Sequence, residues 1–305
     1  MTNGSKPLSR REFAAMAALT IPGLTVLRAF ALEHPSTGAP EHLFAPVTIG
    51  AITYSFRSIP DVNAIIAAMK QMGLTEAEVM SNHIEQLAGA PAIARGASRD
   101  PLLEWRKNAT AATFAPAKKA FTDAGIDLRF LTYNMNRNTT PEEMEYAFAM
   151  AKALGVKAIT TSTQVSVAEK IAPLADKHKM IVAYHGHDST NPDEFATPES
   201  FAKAMAMSKY HYVNLDLGHF TASNYDAVAY LKEHHARITN LHIKDRKKDH
   251  GPNVPWGQGD TPIKEVLLLL KKEGWDIPAN IEFEYPGDAI TEVTKCVQFC
   301  KDVLK

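Results

Sequence analysis

The sequence predicts a single-domain α/β protein, a closed (β/α)8 TIM barrel, on three observations. Short β-rich runs recur eight times from residue 47 onward, each followed by an amphipathic stretch. Most of these runs are continuously apolar, the pattern of strands buried on both faces. About 260 residues is the usual length for eight β/α units. The other arrangement of such units is an open doubly wound sheet. Against it, no Gly-x-Gly-x-x-Gly follows an early strand and no Walker loop occurs.

The expected strands are Val47–Phe56, Glu76–Ser81, Asp127–Asn134, Lys157–Thr163, Met180–His187, Tyr212–His219, Ile238–Lys244 and Asn280–Tyr285. Between them lie helical patterns. Asp61 caps a segment with Val62, Ile65, Ile66, Met69 and Met72 on one face, and Gly73 ends it. Pro141-Glu142-Glu143 opens a second, ended by Gly155, and its early acids suit a helix N-terminus. Thr261-Pro262 begins a third, carrying Ile263, Val266, Leu267 and Leu270 up to Gly274. Residues 81–110 read as a long connection with short helical pieces, of the kind that shapes a site at a barrel rim. Cys296 and Cys300, at helical spacing, face a core together and form no disulfide framework.

Composition narrows the function classes. The 305 residues are 45% hydrophobic and 22% charged, which excludes disorder, a fibre and a coiled coil. The net charge is −1 without a basic run, so no nucleic-acid partner is expected. The long apolar stretch lies at the N-terminus. Ser9-Arg10-Arg11-Glu12-Phe13 is followed by an apolar run from Ala14 to about Leu27 and then Ala29-Phe30-Ala31. This is a basic region, an apolar region and a small-x-small cleavage site, and the paired arginines resemble a twin-arginine export signal. The expected organisation is a signal at 1–31, a lead-in at 32–46 and the barrel at 47–305. The export machinery is then a partner, and the product is periplasmic or secreted. Cleavage removes Lys6, Arg10, Arg11, Arg28 and Glu12 and leaves 29 basic against 33 acidic residues.

A barrel carries its chemistry where strands end. The fifth run ends Tyr184-His185-Gly186-His187, the sixth Asp216-Leu217-Gly218-His219, the seventh His242-Ile243-Lys244-Asp245 and the eighth Glu282-Phe283-Glu284-Tyr285. Adjacent strands lie about 4.8 Å apart, so four consecutive strands can deliver ligands to one ion. Mixed imidazole and carboxylate donors suit Mn²⁺, Zn²⁺, Co²⁺ or Fe²⁺ better than Ca²⁺. His185 and His187 have intrinsic pKa values suited to a base. Lys244 reads either as an oxyanion stabiliser or base, or as an exposed partner of Asp245 or Asp216. Glu284 alternates with Glu282 along an expected strand and would share its wall, so the metal ligand is one of the two, Glu282 first, and either could serve as the base if its neighbours raise its pKa. His219, Tyr54, His83 and Asn134 close other strands and are candidates to touch substrate. Trp256, next to Gly257-Gln258-Gly259-Asp260, could stack on a sugar face. No Lys or Arg cluster marks a phosphate site there.

From about Thr48 onward the chain resembles the sugar phosphate isomerase/epimerase family of xylose isomerase-like TIM barrels. The likeness rests on His185-Gly186-His187, Leu215-Asp216-Leu217-Gly218-His219, Leu241-His242-Ile243-Lys244-Asp245, Trp256-Gly257-Gln258-Gly259-Asp260 and Ile281-Glu282-Phe283-Glu284-Tyr285. The resemblance implies one divalent metal, Mn²⁺ first, held at His185, Asp216, His242 and Glu282. In the epimerases the first of these positions is a glutamate, and two metal-bound glutamates move protons on opposite faces of the sugar. Here His185 takes that place. The implied substrate is a small carbohydrate: a keto sugar, cyclitol or oxidised glycoside.

Four functions compete at this level. The first is a metal-dependent isomerase or epimerase. The second is a lyase that cleaves 3-keto-glycosides by β-elimination, favoured by export and by His185. The third is a non-catalytic periplasmic sugar-binding protein. The fourth, an endonuclease-IV-like nuclease, needs more metal ligands and a basic face, which the acidic balance opposes. A homo-oligomer is admissible, since exposed barrel faces often dimerise.

Overall fold

Eight parallel strands close into a barrel in a computed structural model that describes residues 44–94 and 96–305. The expected signal, and nearly all of the lead-in, lie outside the described residues. In chain order the strands are β1 (Ile49–Ile52), β2 (Glu76–Met80), β3 (Asp127–Thr132), β4 (Ala158–Thr161), β5 (Ile181–His185), β6 (His211–Asp216), β7 (Ile238–Ile243), the short β8 (Asp245–Arg246) and β9 (Asn253–Val254), and β10 (Ala279–Ile281). The closed order is β1-β10-β7-β6-β5-β4-β3-β2, so β10 is the eighth barrel strand. The β8–β9 pair is a separate antiparallel ribbon that the sequence pattern did not announce.

The barrel strands are shorter than the apolar runs suggest, and the difference lies at the rim. Residues Thr53–Phe56 turn into a 3-10 helix. Leu217–Ala222 is already helical, capped by Asp216, whose Oδ1 accepts the His219 N–H. Glu282 and Glu284 lie beyond the end of β10, not along it. An apolar run reports burial, and the loops leaving this rim are buried too.

The helix signals translate directly. Asp61 accepts the Asn63 N–H at the start of Val62–Met72. Thr140 and Glu143 form a capping box before Pro141–Leu154. Gly73 ends the first of these at φ 80°, a left-handed backbone that glycine adopts without strain. Ser81–Leu87 and Asp100–Asn108 are the helical pieces of the long connection. Phe121, Phe148, Ile65 and Met69 are fully buried in the core, as are Cys296 and Cys300 on the last helix, Ala289–Leu304. Each such side chain contributes roughly 1.5–3 kcal/mol through removal from water. Strand register sets the site: Asp216 pairs with His242, and His242 with Asn280, so their side chains share one level.

Candidate active site

The C-terminal rim of the barrel encloses a cavity of about 270 Å³. Tyr54, Asn134, His185, His187, His219, His242, Glu282 and Glu284 line it, together with Glu78, Ile52, Met80, Thr132 and Thr160–Ser162. No lysine or arginine is among these residues. The walls divide by chemistry. The β1–β4 half offers hydroxyls, an amide and apolar groups, with one carboxylate, Glu78. The β5–β10 half offers imidazoles and carboxylates.

His185, Asp216, His242 and Glu282 each present one ligand atom, and these atoms lie within 4.8 Å of one another. All four residues are buried. Asp216 Oδ2 is 4.0 Å from both His185 Nε2 and His242 Nδ1, and His242 Nδ1 is 3.2 Å from Glu282 Oε2. Asp216 Oδ2 approaches Lys244 Nζ to 3.0 Å, yet the angles leave it without a hydrogen bond. A buried carboxylate oxygen left in this state is costly unless a cation reaches it. Two imidazoles and two carboxylates, with no thiolate, form a donor set for a divalent transition ion.

Lys244 is buried, which rules out the exposed pairing. Its Nζ lies 2.8 Å from Glu282 Oε2, 2.6 Å from Glu284 Oε2 and 2.8 Å from His219 Nε2. Asp245 is engaged elsewhere: its carboxylate accepts the N–H groups of Gly257, Gly259 and Thr261. Gly218 makes room for the lysine, because a Cβ there would stand 2.6 Å from Lys244 Cγ. Arg246 reaches the other nitrogen of His219, with Nη1 2.6 Å from Nδ1. Both ring nitrogens of His219 thus face cationic donors, and a neutral imidazole has one lone pair to offer.

These contacts pull the acids apart. Burial pushes the Asp216 carboxyl up to about 7, against the pull of Lys244 and with a push from Glu282. Glu282 is just as buried, but Lys244 and His242 beside it hold it well below the usual carboxylate range. Burial opposes the charge on His242, while Glu78 and Glu282 outweigh it and raise the imidazole well above its ordinary value. Burial, then the neighbouring His242 and His187, drives His185 well down. Burial and Lys244 do the same to His219 and, more mildly, to His187. Lys244 is raised: burial opposes its charge, but Asp216, Glu282 and Glu284 surround it.

Two sequence candidates are placed elsewhere. Trp256 packs edge-on against Phe299 of the last helix, ring centroids 5.5 Å apart, and does not line the cavity. Its loop is fastened to the Asp245 carboxylate through the N–H groups of Gly257, Gly259 and Thr261. His83 sits on Ser81–Leu87 with Nδ1 2.9 Å from Thr53 Oγ1, outside the lining. Tyr54 stands at the mouth with the Arg57 guanidinium 4.7 Å over its ring. Asn134 accepts the Ser162 N–H at 2.9 Å on the hydroxyl-bearing wall. Glu78, from β2, went unnoticed in the sequence. Its signal was a pair of acids, Glu76 and Glu78, in a strand buried on both faces.

Known proteins share this architecture. The family described as xylose isomerase-like TIM barrel matches residues 134–302, more than half of the chain. Inosose dehydratase of Clostridium tetani is 30% identical over 128 residues, covering 35% of this chain and 42% of that protein. L-ribulose-5-phosphate 3-epimerase UlaE of Shigella flexneri is 28% identical over 117 residues, covering 35% and 40%. The chain thus spans about two-fifths of the length of these curated relatives. Among solved structures, the IolI protein with a bound zinc atom shares the fold at a TM-score of 0.60 and 15% identity, over 84% of this chain and 96% of that one. With the closed barrel, the ligand-bearing strand ends and the match over 134–302, the chain belongs to the xylose isomerase-like TIM barrel family.

Proposed function

We propose that this protein is a divalent-metal-dependent enzyme that moves a proton at the carbon next to the carbonyl of a keto sugar, cyclitol or oxidised glycoside, as an isomerase or epimerase. The observation that carries the reading is the buried His185, Asp216, His242 and Glu282 set, its ligand atoms within 4.8 Å, at the wall of a sugar-sized cavity. Those four residues hold the ion, Mn²⁺ first, with Zn²⁺, Co²⁺ or Fe²⁺ also suited to the donors. When bound, such an ion polarises a carbonyl oxygen and makes the adjacent C–H acidic.

The chain's own groups do the rest. Glu284 is not among the four ligands and borders the cavity, so it takes the proton from carbon. The C–H electron pair forms the new C=C bond, and the carbonyl π pair moves to oxygen. Lys244, bonded to both Glu282 and Glu284 behind the lining, holds the two carboxylates in place and balances their charge. His187, kept neutral by burial, stands ready to accept or return a proton. Return to the opposite face of the same carbon gives an epimer, and return to the former carbonyl carbon, with the neighbouring hydroxyl proton passing to the former carbonyl oxygen, gives an isomer. Tyr54 and Asn134 orient the hydroxyls, while His219, with both nitrogens engaged by Lys244 and Arg246, offers the edge of its ring to the cavity. With no lysine or arginine in the lining, the substrate is unphosphorylated.

A second reading has one observation in its favour: His185 stands where a second carboxylate would complete a symmetric epimerase. The same first proton transfer then expels a β-oxygen, cleaving a 3-keto-glycoside. That a relative is named a dehydratase agrees with elimination chemistry in the family. The test is incubation of Mn²⁺-loaded protein in D₂O with a panel of keto sugars that includes a 3-keto-glycoside. Deuterium in a new stereoisomer supports the isomerase, and released aglycone supports the lyase. Binding without deuterium uptake would leave a sugar-binding protein and end both enzyme readings.

Export is part of the proposal. Arg10-Arg11, the apolar run and Ala29-Phe30-Ala31 support twin-arginine delivery of the barrel, 47–305, to the periplasm or beyond. Folding before export suits an enzyme that takes its metal in the cytoplasm.

A further inference from the structure

We infer that Glu78 is a positioning residue that fixes which nitrogen of His242 meets the metal, an inference resting on the metal reading above. Glu78 enters from β2, three strands round the barrel from β7, and is fully buried. Its carboxylate is crowded with donors. Oε1 accepts from Thr132 Oγ1 at 3.0 Å, Thr160 Oγ1 at 2.5 Å and Asn214 Nδ2 at 3.1 Å. Oε2 accepts from Asn240 Nδ2 at 2.8 Å and Asn280 Nδ2 at 3.2 Å, and lies 2.7 Å from His242 Nε2.

Donors from β3, β4, β6, β7 and β10 thus clamp one carboxylate at the barrel axis. Under that grip it is an acceptor only; Asn214 Nδ2 also lies 3.1 Å from His242 Nε2, but the shorter 2.7 Å contact to the carboxylate places hydrogen on that nitrogen. With Nε2–H committed to Glu78, the lone pair of a neutral His242 is on Nδ1. That atom is the one facing Asp216 and Glu282. A lone pair aimed at two carboxylates is satisfied by a cation between them. His185 has no such partner: its Nδ1 is buried without a hydrogen bond. The two imidazoles of the set are therefore unequal, one held in its tautomer from behind and one not. A carboxylate behind a ligating histidine holds the ring's direction and raises its basicity, and losing it typically costs about 10–100-fold in metal affinity.

The test uses Zn²⁺ alone. Calorimetric titration of metal-free Glu78→Gln should show affinity about 10–100-fold below the parent's. Thr132→Val, which removes a donor to Glu78 but leaves His242, should stay within about threefold. Thermal melts of the metal-free proteins report any general loss of fold separately. In the Zn²⁺-loaded parent, nitrogen NMR should place the His242 proton on Nε2 and the metal on Nδ1, a readout that survives even if the glutamine variant fails to fold. Coordination through Nε2, or parental affinity in Glu78→Gln, overturns the inference and leaves the metal reading standing. A parent protein that takes up no Zn²⁺ overturns both.

Discussion

Replacing Asp216 by asparagine separates a metal ligand from a structural ion pair, because the two roles predict opposite changes in stability. Folded Asp216 keeps its proton up to about pH 7, whereas an unfolded aspartate loses it near pH 3.9. Where both states are ionised, above pH 7, the raised value costs the fold about 4 kcal/mol, at ~1.4 kcal/mol per pH unit. The sign follows from proton counting. Between about pH 4 and 7 the folded state binds the extra proton, so this group's contribution falls as pH rises through that window. Asparagine keeps the shape, and its Oδ1 can still accept the His219 N–H. Lys244 is not orphaned, since Glu282 and Glu284 remain at 2.8 and 2.6 Å. Part of the gain is lost because the new amide faces Lys244 Nζ. Metal-free Asp216→Asn should therefore be ~1–3 kcal/mol more stable than the parent at pH 8, with the difference vanishing near pH 4. Its affinity for Mn²⁺ should fall at least a hundredfold, and turnover with it. Urea unfolding across pH 4–8 and metal titration measure the two arms. A loss of several kcal/mol at pH 8 would mean that Asp216 is there to pair with Lys244. Parental Mn²⁺ affinity would remove it from the ligand set.

Metal uptake should release protons, because Asp216 titrates at about 7 and His242 is raised while both must be bare to coordinate. Calorimetry at pH 6 in buffers of different ionisation enthalpy should report roughly one to two protons released, with affinity rising as pH climbs through 7. A heat that does not depend on the buffer contradicts this. Gly218→Ala places a Cβ 2.6 Å from Lys244 Cγ and 3.0 Å from its backbone oxygen. It should cost ~1–3 kcal/mol in denaturant unfolding and lower kcat by shifting Lys244; an unchanged kcat counts against the lysine's role. Trp256→Ala should leave KM unchanged and lower only thermal stability, since Trp256 packs on Phe299 away from the cavity. A raised KM would return it to the substrate.

The sequence made some of this legible and hid the rest for physical reasons. His185, Asp216, His242 and Glu282 could be found because barrel chemistry gathers at strand ends, and a polar residue closing an apolar run is easily seen. Cap residues such as Asp61 and Thr140 act locally, so their neighbours in sequence were enough. The ends of the strands were not visible, because Thr53–Phe56 and Leu217–Ala222 stay buried at every position except Tyr54 and His219. Trp256 misled for the opposite reason. Its glycine-flanked loop suggested a ligand, but the loop is tied to Asp245, a link between residues twelve or more positions apart that no short motif encodes.

Glu78 shows where sequence reading reaches its limit and what the fold adds. Its partners, Thr132, Thr160, Asn214, Asn240 and Asn280, are dispersed over some 150 residues. Each alone reads as an ordinary polar residue in a strand. Closure of the barrel turns them into one shell around one carboxylate, and that carboxylate faces the ring of His242. A neutral core would have been cheaper to bury, since an ionised group at the barrel axis must be matched by nearly every donor around it. An arrangement so costly in polar groups is hard to explain by packing alone. It is explained if the ring it holds has to meet a cation in one orientation, and the asymmetry between His242, gripped from behind, and His185, left without a partner, follows from the same logic.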